Sequence, residues 1–164
     1  MIDTETQLDP LDTMTRLVDT KSKTIVYVDD EEHNLRVFRS SFRRHYNVVV
    51  FERPQEAIAY IKSNPVNVLV TDQRMPGLTG TQMIELLRED FPELISVIIT
   101  GYSDIEAVTD AINKCNIYRF FTKPFDFNDL KSTFDGALEM EMLKEQKENL
   151  MDTVQATNSS LEEK

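Results

Sequence analysis

The chain carries a single cysteine, Cys115, among 164 residues. No disulfide can close within it, and a lone thiol whose only basic neighbour is Lys114 points to packing rather than redox chemistry. Long apolar runs are missing too. The longest are strand-sized, which excludes a membrane-spanning helix, and the acidic opening MIDTETQLDP has no hydrophobic stretch of the kind a secretory signal needs. A cytoplasmic location is the simplest expectation. Positive charge is scarce: 18 Lys and Arg against 29 Asp and Glu leave a net charge of −11. A field of that sign opposes nucleic acid and anionic lipid, so this chain is expected to bind neither directly. The two histidines, His33 and His45, lack metal-ligand spacing and read as surface residues. No internal repeat or low-complexity tract is visible.

What is present is a regular alternation. Hydrophobic residues make up 40% of the chain, enough for one domain with a real core. Residues 1–22 form an acidic leader in which Asp9 and Pro10 are placed to open a short helix carrying Leu11, Met14 and Val18 on one face. From Thr24 the runs TIVYV, YNVVVF, VNVLVTD, LISVIIT and IYRFF read as five short strands. Helical spacing separates them: Leu35, Phe38 and Phe42; PQEAIAYIKS; Met83, Ile84, Leu86 and Leu87; Ile105, Val108 and Ile112. A last helix is expected to begin near Asn128. Strands that are continuous and rich in β-branched residues, each followed by a helix, signify parallel βαβ units with both sheet faces covered, hence an α/β doubly wound sheet. Ligands of such folds sit beyond the carboxyl ends of the strands.

Polar residues collect at just those ends. Asp29 and Asp30 follow strand one, with Glu31 and Glu32 behind them. Asp72 ends strand three in VTDQRMPG, Thr100 ends strand four, and Lys123 follows strand five. Three carboxylates brought together require a cation or a proton. Mg²⁺ suits them because it prefers hard oxygen ligands. A carboxylate can also attack phosphorus to give an aspartyl phosphate, whose oxygens a metal, an ammonium and a hydroxyl would hold. Asp72, on the central strand and before a tight turn, is the best nucleophile. Asp29 and Asp30 are then the metal residues, with Thr100 and Lys123 the phosphoryl contacts. Taken singly, each has a blander reading. Two acids at a helix start suit the helix dipole, Thr100 is a strand end, and Lys123 is a loop lysine; their joint placement is what singles them out.

The ordered blocks VDDE, VTDQRMPGLTG, IITGYSD and TKPF resemble the signature of the response-regulator receiver domain, a CheY-like family of two-component signalling, over roughly residues 23–136. The resemblance implies a flavodoxin-like five-stranded sheet of order 2-1-3-4-5. It implies phosphorylation of Asp72 by a histidine kinase or phosphotransfer protein in a Mg²⁺-dependent reaction. The metal would lie on Asp30, Asp72 and the backbone carbonyl of Arg74, with Asp29 assisting, and Thr100 and Phe120 would act as the switch pair. In such domains the positions of Arg74 and Tyr102 flank the path of hydrolytic water, and both side chains here are large, which implies a shielded phosphoryl group. The module would be a switch, not an enzyme in the ordinary sense, controlling an output domain or partner from the front of a longer protein. A haloacid-dehalogenase-like phosphatase also uses an aspartyl nucleophile, but it needs a second acid two residues later, where Arg74 stands. Receiver-like modules that work without phosphate usually lack one of the acids or the lysine, and all are present here.

Residues 137–164 contain no proline and are rich in Glu, Lys, Leu and Met. On a heptad frame Met140, Leu143, Lys147, Leu150, Val154, Thr157 and Leu161 fall at the a and d positions, the pattern of a short coiled coil and a homodimer through an extended C-terminal helix. The alternative is a solvated helical linker.

Overall fold

A computed structural model of the chain describes residues 19–162; the proposed leader helix with Leu11, Met14 and Val18 lies outside them. Five strands, β1 (Thr24–Val28), β2 (Asn47–Phe51), β3 (Val68–Thr71), β4 (Ile95–Thr100) and β5 (Arg119–Thr122), alternate with five helices. These are α1 (Glu32–Phe42), α2 (Pro54–Ser63), α3 (Gly80–Arg88), α4 (Ile105–Cys115) and α5 (Phe127–Glu162). All strand pairings are parallel, in the order β2-β1-β3-β4-β5. This is the doubly wound sheet that the alternation predicted, in the flavodoxin-like order that the resemblance implied.

The period of two along each strand splits the core into two layers. Ile25 and Tyr27 of β1, Val68 and Val70 of β3, and Val97 and Ile99 of β4 face α1 and α5, where Phe38, Phe42, Leu130 and Phe134 meet them. Val26, Val28, Leu69 and Ile98 face the other way, against Ala57, Ile61, Met83, Leu87 and Val108 of α2, α3 and α4. The central strands β1, β3 and β4 are buried throughout, which is why their sequences show no polar alternation. Phe120 packs in the second layer, while Phe121, Phe125 and Phe127 pack in the first, all half-buried. Cys115 is buried at the end of α4, and burial raises its thiol above the usual range.

Helix ends follow local chemistry. Thr79 caps α3 with a full capping box, its hydroxyl accepting from Gln82 N while the Gln82 side chain returns to Thr79 N. Asn116 ends α4 in the left-handed region at φ 53°, a conformation Asn tolerates. The last helix starts at Phe127, close to the Asn128 that the sequence suggested as its cap. Asp126, not Asn128, supplies the cap, accepting from Asp129 N at 3.0 Å, since its carboxylate stands three residues ahead of a free N–H. His45 is half-buried against Phe127 rather than free on the surface.

The last helix runs unbroken through Gly136. Ala137 and Leu138 are buried, so packing continues past that residue. At the far end of the sheet Asn67 donates to Glu141 Oε1 at 3.0 Å while accepting from Thr24 N at 3.0 Å, and Lys144 pairs with Glu93. Beyond Lys144 the described side chains are exposed.

Candidate functional site

The carboxyl ends of β1, β3, β4 and β5 form one rim, and that rim gathers the predicted residues. Carboxylate oxygens from Asp29, Asp30 and Asp72 lie within 4.8 Å of one another. Lys123 Nζ reaches between them, donating to Asp29 Oδ2 and to Asp72 Oδ2, each at 2.9 Å. Asp29 is fully buried, Asp72 is 7% exposed, and Asp30 is open to solvent. The Lys123–Pro124 peptide is cis.

The electrostatics follow from that crowding. Burial pushes the Asp72 carboxyl above the ordinary carboxylate range; Lys123 and the Gln73 N–H pull it back, and Asp29 pushes it further up. For Lys123 burial acts downward, but the hydrogen bonds and charges of Asp72 and Asp29 outweigh it and leave the ammonium more firmly protonated than usual. Three carboxylates against one ammonium leave excess negative charge on hard oxygen donors, and this set can hold a divalent metal.

Several supporting residues escaped the sequence reading. Tyr27 Oη donates to Asp29 Oδ2 at 2.8 Å, Asn34 Nδ2 donates to the same oxygen at 3.1 Å, and Glu31 N donates to Oδ1 at 3.0 Å. A signal for the first existed: Tyr27 is two residues before Asp29, so both point to one face of the strand. Gln73 fixes the loop after Asp72. Its backbone N–H donates to Asp72 Oδ1 at 2.7 Å, and its side-chain amide holds both Thr81 N and Thr81 Oγ1 at 3.0 Å. The same loop needs its glycines. Gly77 has φ 83°, and a Cβ on Gly80 would stand 2.3 Å from the Asp72 carbonyl oxygen.

Thr100 ends β4 fully buried, and its hydroxyl finds no hydrogen-bond partner among the described residues. Phe120 pairs in register with Ile98 and packs half-buried, three residues before Lys123. The Arg74 side chain extends from the β3–α3 loop across the mouth of the cleft to Asp104, with Nη2 to Oδ1 at 2.7 Å. The Tyr102 side chain lies outside the described ones; its backbone belongs to a short 3-10 turn, Tyr102–Asp104, leading into α4.

A parallel doubly wound sheet with an acidic cluster and a bridging lysine at its carboxyl edge defines a receiver-type signalling domain. The family model of the response regulator receiver domain matches residues 25–135, and the chain belongs to that family. Receiver domains are signalling modules rather than classical enzymes, and they work with a kinase or phosphotransfer partner. The chain is 34% identical over 124 residues to the hydrogenase transcriptional regulatory protein HoxA of Cupriavidus necator, covering 76% of this chain and 26% of that one. It is 27% identical over 128 residues to the DNA-binding transcriptional regulator NtrC of Salmonella typhimurium, covering 77% and 27%. It thus spans about a quarter of the length of these curated relatives. Among solved structures it resembles NtrX from Brucella abortus, with a TM-score of 0.71 and 26% identity over 79% of this chain and 30% of that one. Among the described residues no helix is long and apolar enough to cross a membrane.

Proposed function

We propose that the chain is a phosphorylation-controlled switch in which Asp72 accepts a phosphoryl group from a histidine kinase or phosphotransfer protein. The observation that carries this reading is Lys123, whose ammonium bridges Asp29 and Asp72 beside the exposed Asp30. An Asp72 carboxylate oxygen forms the new O–P bond as the P–N bond to the donor histidine breaks. The imidazole leaves with the electron pair and takes up a proton. Asp30, Asp72 and the Arg74 carbonyl, with Asp29 behind them, would hold Mg²⁺, which would supply charge neutralisation at the phosphoryl oxygens. Lys123 offsets charge on the product, and Thr100 turns its unpaired hydroxyl toward it while Phe120 moves into the space behind. These shifts alter the face of α4, β5 and α5, through which the module controls an output domain or partner, as a cytoplasmic part of a longer protein.

The domain division that follows is a leader over 1–22, a receiver over 23–136 and a helical linker over 137–164. Met140, Leu143, Leu150 and Val154 are between 43% and 65% exposed, and the heptad they share with Lys147 and Thr157 supports homodimerisation through α5.

Incubation with Mg²⁺ and acetyl phosphate should add one acid-stable, base-labile phosphoryl group per chain, and Asp72→Asn should abolish it. Asp30→Ala should weaken Mg²⁺ binding by at least tenfold, since an oxygen ligand is lost. Full labelling of the Asp72→Asn protein overturns the assignment.

A further inference from the structure

We infer that Tyr27 and Asn34 are positioning residues that allow Lys123 to leave Asp29 when the acceptor is loaded; the inference rests on Asp72 being that acceptor. Asp29 is completely buried. Its Oδ2 accepts from Tyr27 Oη at 2.8 Å, Asn34 Nδ2 at 3.1 Å and Lys123 Nζ at 2.9 Å, and its Oδ1 accepts from Glu31 N at 3.0 Å. The same ammonium is shared with Asp72 at 2.9 Å. A phosphoryl group on Asp72 places new anionic oxygens beside that ammonium and draws it away from Asp29. A carboxylate this deep cannot give up its cation unless other donors hold its charge.

Tyr27 and Asn34 are those donors, and neither depends on Lys123 for its position. The Tyr27 ring is fixed inside the core, 1% exposed and stacked on Phe38 at a centroid distance of 4.2 Å. Asn34 stands in the first turn of α1 and is steadied by a second hydrogen bond to Glu31 Oε2 at 3.3 Å. A phenylalanine at position 27 would fill the same space without burying a hydroxyl. The phenol is therefore explained by Asp29, its one partner among the described residues. With both donors in place, Lys123 is held loosely enough to move. Without them Asp29 would keep it.

The step that reads this out is labelling by acetyl phosphate. An Asp72 oxygen bonds to phosphorus, the P–O bond to acetate breaks, and acetate leaves with the electron pair. The full chain is compared with Tyr27→Phe and, as a variant that leaves the core untouched, Asn34→Ala. Two quantities are measured: the labelling rate at saturating Mg²⁺, and the Mg²⁺ dissociation constant from amide shifts in an NMR titration with Mg²⁺ alone. The expected result is labelling slowed about tenfold in Tyr27→Phe, the loss of one hydrogen bond to a charged group, and slowed less in Asn34→Ala. Mg²⁺ binding should be unchanged or tighter in both, because an Asp29 with fewer donors attracts cations more strongly. A site merely distorted by the substitutions would bind Mg²⁺ more weakly. Labelling at the unmodified rate in both variants, or a rate loss that tracks weakened Mg²⁺ binding, overturns the inference. If the unsubstituted chain takes no label, the acceptor assignment falls and this inference falls with it.

Discussion

Replacing Thr100 by valine should make the protein more stable and less responsive at once. The two side chains have the same shape, so the change is hydroxyl to methyl. That hydroxyl is fully buried and has no hydrogen-bond partner among the described residues. A buried polar group without a partner costs about 1–3 kcal/mol, and a methyl in its place adds apolar burial worth about 0.8 kcal/mol at most. Allowing for relaxation around the new methyl, the net gain should be about 1–2 kcal/mol, or about 3–6 °C in Tm for a domain of this size. Urea unfolding is the assay. The midpoint should rise while the slope stays constant, which separates a change in stability from a change in the unfolded state. In the same preparation acetyl phosphate should still label Asp72, yet the NMR shifts across α4, β5 and α5 that accompany labelling should largely vanish. A midpoint at or below that of the unsubstituted chain would refute the reasoning, because it would mean the hydroxyl is satisfied before any phosphoryl group arrives.

Other outcomes follow from the same rim. The Asp72 carboxyl is raised in the folded state, so its ionisation works against folding, and that penalty sets in as pH rises through the folded value. Denaturation of Asp72→Asn against the unsubstituted chain should therefore show a difference that shifts in favour of the variant as pH rises above the ordinary carboxylate range; a pH-independent difference would contradict this. Arg74→Ala and Asp104→Asn should each speed loss of the phosphoryl group by up to about fivefold, since an exposed pair is worth about 0–1 kcal/mol, and the double variant should be no faster than either. Full additivity in a decay assay would mean the two side chains act separately. Gly80→Ala should destabilise by more than about 2 kcal/mol in the same urea assay, as its Cβ would collide with the Asp72 carbonyl. For the helical extension, sedimentation equilibrium should find self-association in the full chain and lose it on truncation after Lys144, a cut that spares the buried Ala137 and Leu138. A monomer in both leaves α5 as a solvated linker.

The order of elements and the principal site residues were legible because each β-strand is a short, mainly apolar run and polar residues stand at its carboxyl end. In a parallel sheet those stops lie on one edge, so Asp29, Asp30, Asp72, Thr100 and Lys123 could be assembled without coordinates. What stayed hidden depends on which side chains meet once the loops are folded. Arg74 and Asp104 are 30 residues apart, and nothing in either neighbourhood announces the pair. Gln73 looks like any polar loop residue until its amide is seen gripping Thr81. Tyr27 sits in a run whose hydrophobicity conceals its hydroxyl. The cap of α5 was misassigned because Asp126 and Asn128 are both good caps, and only the backbone geometry chooses between them.

The anchoring of α5 at both ends of the sheet turns it into a lever with a fixed fulcrum. From Phe127, four residues after Lys123, to Glu141, tied to Asn67, it crosses the domain in about 21 Å at 1.5 Å per residue. From there to Glu162 it extends about another 31 Å. If Asp72 is phosphorylated as proposed, a change at that end need only tilt the helix by about 5° about that anchorage to swing its tip through about 3 Å. Amplification then comes from length rather than from large local motion. Loosening the Asn67–Glu141 tie would blunt the output while leaving phosphate chemistry intact.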